Sequence, residues 1–387
     1  MLKKKTLSFP HHQLTRTEQR GEVGRIAPDH LNHLAQDLPR VVQALQRTGI
    51  NKIIWIHGTF AGDEFGGFFR QLGHYSPLLS KRLRYLKKLG VDKISGQYGN
   101  FPETYIKTVD EIIQRAGDPS QSPPITSDRF SWSGENHHIG RLDGVFALID
   151  HLKHLSETMA GGQRILLIAH SHGGNLLAML TLLAHTDRKN LVKFFRHIHQ
   201  FRSRQPGNAL LEDKWKAAES FLLSDQELPK FDVITLGTPL RYRWSLRPGT
   251  RLLHIINHRS LDAENPDKAH VPLGRDSLHL SDTGDVIQQL GLGGSDFPPN
   301  LLSHSERKLE RKLARIFEST VRRKDYFRKL AMGRRDSSDG KTLLIDYSEI
   351  QPAEASLLLG HGVYTLESLI PFHLAIAASE LCEIASN

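Results

Sequence analysis

Four short apolar runs recur along the chain with helix-like stretches between them: IIWI (53–56), ILLIA (165–169), VITL (233–236) and LLHII (252–256). This alternation limits the possible folds more than any other feature. Runs of four or five apolar residues bounded by Gly, Asn or charge suit strands covered on both faces. Such strands, separated by helices, belong to a parallel sheet with right-handed crossovers. Two weaker runs, RFSW (129–132) and TLLI (342–345), bring the expected count to six. The expected fold class is therefore α/β, a mainly parallel sheet of about six strands flanked by helices.

Helical spacing predicts a helix over 29–47, broken or kinked at Pro39, and an amphipathic helix over 139–155. A third follows ILLIA directly, over 175–183. Residues 1–50 are expected to be an N-terminal extension and helix, and 51–387 the main domain. Two insertions interrupt it, at about 61–128 and 185–230, and either would suit a cap over a site at the strand ends. With 387 residues and 39% hydrophobic content, the chain can bury one sizeable core. The single cysteine, Cys382, excludes an internal disulfide and a cysteine-rich metal site. The lysines of MLKKKTLSFPHHQ are followed by no apolar run, and no stretch approaches a membrane span. Cytoplasmic residence is the expectation, with signal-less export left open.

The sharpest local motif is Ala169-His170-Ser171-His172-Gly173-Gly174, between ILLIA and the helix NLLAML. A serine on a tight strand-to-helix turn needs small residues two positions to either side, here Ala169 and Gly173. The turn lifts the hydroxyl out of the sheet and aims the His172 N–H at a reacting oxygen, with the helix N-terminus behind it. The competing reading is an ordinary Gly-rich connection. His170 and His172 also form His-x-His, but Gly174 and Asn175 stand where a metal site needs an Asp-His pair, so no metal is expected. The first strong strand ends in His57-Gly58-Thr59, a turn that brings the Thr59 N–H beside the serine as a second oxyanion donor. The Thr59 hydroxyl would add a third, and His57 is then structural.

Taken together, IHGTF, FSWSGEN, IAHSHGG and TLGTP (235–239) resemble lipases and esterases of the α/β-hydrolase superfamily, over roughly 51–374. The pattern is A-x-S-x-G rather than G-x-S-x-G, and the two leading antiparallel strands of the full fold are missing. The resemblance implies a Ser-acid-His order. His361 in Gly360-His361-Gly362 follows TLLIDY and is the implied base, with His373 as alternative. Asp262, Asp267, Asp282, Asp285 and Asp296 follow LLHII as candidate acids. Asp285, in TGDVI, is preferred because a branched apolar anchor follows it two residues on; Asp262 is the runner-up.

The implied activity is hydrolysis of a carboxylic ester through Ser171, His361 and Asp285, with Thr59 and His172 holding the oxyanion and no cofactor. An amidase, thioesterase or acyltransferase, or a non-catalytic binding protein on the same fold, are the alternatives. The partner is then a small-molecule or lipid ester. Asn136 and Arg141 near the expected rim are read first as structural. The net charge of +9 is concentrated in 307–335, with 12 Lys/Arg against 3 Asp/Glu. Leu309, Leu313, Ile316, Phe317 and Val321 lie there at helical spacing. A surface helix with a solvated basic face comes first, an anionic membrane surface second, and no nucleic acid is expected.

Overall fold

The apolar runs are strands, and they pair in parallel. The computed structural model describes residues 7–11, 21–26, 33, 35–59, 99–118, 120, 124–202, 209–239, 241–269, 284–292, 304–318, 333–350 and 358–382. The strands are β1 (Glu22–Arg25), β2 (Ile50–Ile56), β3 (Thr126–Phe130), β4 (Arg164–His170), β5 (Phe231–Leu236), β6 (Leu252–Asn257) and β7 (Lys341–Ile345). Their order across the sheet is β1-β7-β6-β5-β4-β2-β3, every neighbouring pair parallel.

Helices cover both faces. They are α1 (Leu38–Arg47), α2 (Glu103–Ala116), α3 (His138–Thr158), α4 (His172–Ala184), α5 (Arg188–Arg202), α6 (Ala209–Leu223), α7 (Val286–Leu292), α8 (His304–Phe317) and α9 (Ile370–Cys382). The two-residue strand period divides the core in two. Ile54 and Ile56 of β2 join Leu167 and Ala169 of β4 in a cluster with α3, α4, α5, α6 and α8. Ile53 and Trp55, with Leu166 and Ile168, join the cluster of α1, α2 and α9 on the other face.

Three expectations need correction. The sheet has seven strands, not six, because β1 pairs with β7 at one edge. The N-terminal region is thus part of the fold, and Leu7 and Phe9 are buried in the core, with Phe9 N–H donating to the Ile316 carbonyl at 2.8 Å. The RFSW strand lies three residues earlier, as β3. Trp132 has left the sheet, and its indole N–H donates to the His57 carbonyl at 2.8 Å. The break expected at Pro39 is present: residues 33, 35 and 36 are helical, Asp37 is not, and α1 restarts at Leu38 with Asp37 as its cap and Pro39 in its first turn, where the missing N–H is not needed. The 185–230 insertion forms α5 and α6. They bury Phe194, Phe195, Ile198, Trp215 and Ala218 as a second layer on α3 and α8, on the flank of the sheet rather than across the strand ends. In the other insertion, 60–98 lies outside the described residues. No helix among the described residues is long and apolar enough to cross a membrane.

The strand order has one reversal. From β2 the chain steps outward to β3, then returns to β4 on the other side of β2 and continues through β5, β6 and β7. In an open parallel sheet the loops leaving the carboxyl ends diverge at such a reversal, and the crevice between them takes ligands. Here those are the loops after β2 and β4.

At their amino-terminal ends the central strands are held by charge. Asp232 at the start of β5 is fully buried between Arg164 and Arg251, whose Nη2 atoms each approach its carboxylate at 2.7 Å. Burial opposes its ionisation, but the two guanidiniums prevail and hold its pKa below the ordinary value. Its contribution is therefore present above the unfolded pKa and lost as pH falls through the lower folded one. Asp232→Asn should cost about 3–5 kcal/mol in urea unfolding at neutral pH. The gap between variant and parent should narrow once the pH drops below about 4.

Candidate functional site

Ser171 directly follows β4 and is the N-cap of α4, with φ 53° and ψ −131°, a left-handed backbone that side-chain-bearing residues rarely adopt. Strand and helix impose it from either side. Ser171 N–H donates to the Leu236 carbonyl at 2.8 Å, the Thr238 hydroxyl to the Ser171 carbonyl at 2.7 Å, and Gly174 N–H to that same carbonyl at 3.1 Å. His172, whose N–H was expected to face a reacting oxygen, is the first residue of α4.

His57-Gly58-Thr59 lies against this turn. A Cβ on Gly58 would stand 2.6 Å from Ser171 Cβ and 3.3 Å from its Oγ, so only glycine allows the approach. His57 is buried and its pKa lowered, chiefly by burial. Its Nε2 accepts from Trp132 N–H at 3.2 Å, so the proton sits on Nδ1, which donates to the Gly58 carbonyl at 2.8 Å. That carbonyl and the Thr59 N–H belong to one planar trans peptide and point in opposite directions. His57 thus fixes the direction of the Thr59 N–H. The Thr59 hydroxyl is buried with no hydrogen-bond partner among the described residues.

His361 and Asp285, 76 residues apart, meet. His361 Nδ1 lies 2.7 Å from Asp285 Oδ2. Both are buried, Asp285 completely. No hydrogen bond joins Ser171 Oγ to His361 Nε2, which is buried and unpartnered among the described residues. The His361 segment is nevertheless tied to the serine turn. His170 Nε2–H donates to the His361 carbonyl at 3.1 Å, and the two rings pack at 4.6 Å. Burial, and after it the neighbouring His361, keep His170 neutral by holding its pKa well below the ordinary value. His170, considered in the sequence only as half of a metal motif, is a clamp on the histidine loop. Among the described residues no cluster suits a metal ion.

Asp285 is surrounded by donors that nothing in the sequence pattern marks. Gln288 N–H reaches its Oδ1 at 2.8 Å, making Asp285 a cap for α7. Tyr364 hydroxyl donates to Oδ2 at 3.0 Å and accepts from Asn257 N–H at 2.7 Å. Burial and the Asp285 charge raise the Tyr364 pKa, so this donor stays protonated. Arg335, counted with the basic surface segment, is buried and donates to the Asp285 carbonyl at 2.7 Å. Gly237 of TLGTP has φ 60°, and a Cβ there would lie 2.6 Å from Asp285 Oδ2.

The rival candidates are elsewhere. Asp262 is half-buried, its carboxylate accepting from Glu264 and Asn265 N–H in a turn. Asp267 pairs with Arg25 at 2.5 Å. Asp282, Asp296 and Val321 lie outside the described residues. His373 is buried in α9 against the Tyr347 hydroxyl at 2.9 Å, and burial lowers its pKa to about 3. Arg141 and Asn136 are structural: Arg141 Nη1 donates to Asn136 Oδ1 at 2.9 Å and its Nε to Tyr242 hydroxyl at 2.8 Å. The chain matches no protein-family model, no curated protein and no solved structure.

Two outcomes are expected. The strained Ser171 backbone holds about 1–3 kcal/mol, so Ser171→Gly should melt at a higher temperature than Ser171→Ala, although glycine usually destabilises. Tyr364→Phe leaves Asn257 N–H without its acceptor and should cost about 1–3 kcal/mol in denaturant unfolding.

Proposed function

We propose that the protein is a serine hydrolase of the α/β-hydrolase type that cleaves a carboxylic ester through an acyl-enzyme. The observation that carries this is the 2.7 Å pairing of His361 Nδ1 with a fully buried Asp285 Oδ2, in a loop clamped to the turn that bears Ser171. A buried carboxylate against one imidazole nitrogen fixes the tautomer and leaves the other nitrogen to act as base. The strand order supports the fold assignment. The loops of the oxyanion turn and the serine leave neighbouring strands at the one reversal of the sheet, and the acid and histidine follow β6 and β7 in chain order.

Ser171 Oγ attacks the ester carbonyl while its proton passes to His361 Nε2. Asp285 accepts from Nδ1–H and stabilises the imidazolium. The carbonyl oxygen, now negative, takes hydrogen bonds from the N–H groups of Thr59 and His172, with the Thr59 hydroxyl as a third donor. His361 returns the proton to the departing alcohol. Water, deprotonated by the same nitrogen, then attacks the acyl-enzyme, releasing the acid and restoring Ser171. An amide or thioester would pass through the same steps, so the reacting groups select the class of bond and the rim selects the substrate.

A fluorophosphonate probe should label the parent protein and leave Ser171→Ala unlabelled. Labelling that persists in the variant, or is absent from the folded parent, sinks the proposal. With p-nitrophenyl esters of graded chain length, Asp285→Asn should lower kcat/KM by about 10⁴-fold. Asp262→Asn should stay close to the parent, and the reverse ranking would remove Asp285 from its role.

A further inference from the structure

α5 carries no acidic residue, and its burial is one-sided. Phe194, Phe195 and Ile198 are buried, while Arg188, Lys189 and Arg196 are exposed. α8 has the same construction. Leu309, Leu313, Ile316 and Phe317 are in the core, and Arg307, Lys308, Arg311 and Arg315 point to solvent. The two helices pack side by side, Phe194 against Phe317 at 5.9 Å between ring centroids, and the Lys312 charge is felt at His197. Their basic faces adjoin.

Most acids of this region are taken up in local contacts: exposed Asp187 accepts from Asn190 N–H at 2.9 Å at the start of α5, and Glu219 Oε2 lies 2.8 Å from His199 Nε2. Glu310 accepts from His138 N–H at 2.6 Å and Ile139 N–H at 3.0 Å, where it caps α3. Glu318 is held by Arg241 Nη2 at 2.8 Å. Glu306, half-buried, is the remaining acid on α8. Among the described residues Arg196, Arg311, Lys312 and Arg315 form no ion pair. Each inward contact also fixes where α8 lies. His138 opens α3 just beyond the carboxyl end of β3, and Arg241 follows the carboxyl end of β5. The basic surface therefore borders the side of the sheet from which Ser171 projects.

We propose that the adjoining outer faces of α5 and α8 dock the protein on an anionic phospholipid bilayer, by charge on the headgroup phosphates rather than by insertion. The apolar stripes that an inserting helix would use are already in the core. Val192, 38% exposed, sits one turn from both Arg188 and Arg196 and adds an apolar contact at headgroup depth. The described aromatics of both faces, Phe194, Phe195 and Phe317, are buried, so they offer no platform on which nucleic-acid bases could stack. The docking does not depend on the catalytic site; that it brings ester bonds to Ser171 rests on the hydrolase reading.

The test is co-sedimentation of the full chain with vesicles of phosphatidylcholine, with and without phosphatidylglycerol, at low and high salt. Binding should need phosphatidylglycerol and be released by salt. Each cation removed should lower the partition about fivefold, so Arg196→Gln with Arg311→Gln should lower it about 25-fold. Turnover of a soluble p-nitrophenyl ester should not change in that double variant. Equal binding to phosphatidylcholine alone, or a double variant that binds like the parent, overturns the proposal. So does a parent that ignores both vesicles and instead binds duplex DNA through these arginines. A parent that binds phosphatidylglycerol vesicles as described but hydrolyses no ester upholds the docking surface and removes the hydrolase reading.

Discussion

The single reversal of strand order beside β2 is the constraint on which the site depends. It sets the carboxyl ends of β2 and β4 side by side while sending their connections apart. A turn of the His57-Gly58-Thr59 kind and a serine on a strained elbow can then face each other with no side chain between them. The strain at Ser171 is held by the hydrogen bonds of Leu236 and Thr238, residues of the next strand and its loop. The sheet supplies the rigidity that a bent backbone needs to persist.

Around that crevice, most of the polar groups act at one remove. His57 turns a peptide, His170 grips the carbonyl of His361, and Tyr364 holds a carboxylate oxygen that His361 also uses. These groups are buried, where an unmet hydrogen bond is costly and a met one is rigid. Neutral His57 and His170 are consistent with that role, since burial lowers the pKa of each.

Much of this was legible in the sequence, and the failures have physical causes. β2, β4, β5 and β6 are covered on both faces, so their apolar runs stand out. β1 reads EVGR and has only half-buried and exposed residues, because one neighbour and partial cover ask for no apolar run. β3 is an edge strand of mostly polar residues, TSDRF, and its aromatic ending drew the expected boundary too far along. The preference for Asp285 rested on a local turn pattern, and its pairing with His361 agrees with it. Arg335 could not be found that way. In sequence it is one cation among twelve in a basic stretch, and only the folded chain separates it from the arginines that meet solvent. His170 was obscured by a neighbour that made it half of a metal-like pair.

The pairing of β1 with β7 has a consequence for the order in which the molecule is made. Residues 22–25 leave the ribosome long before their partner, 341–345. At roughly 5–20 residues per second, β1 waits many seconds for the strand it joins. The serine, its turn and the strands beneath them emerge well before the segment that brings His361. A nascent chain therefore holds Ser171 on its turn before His361 and Asp285 can pair, and the closing of the sheet by β1 and β7 waits for the same late segment.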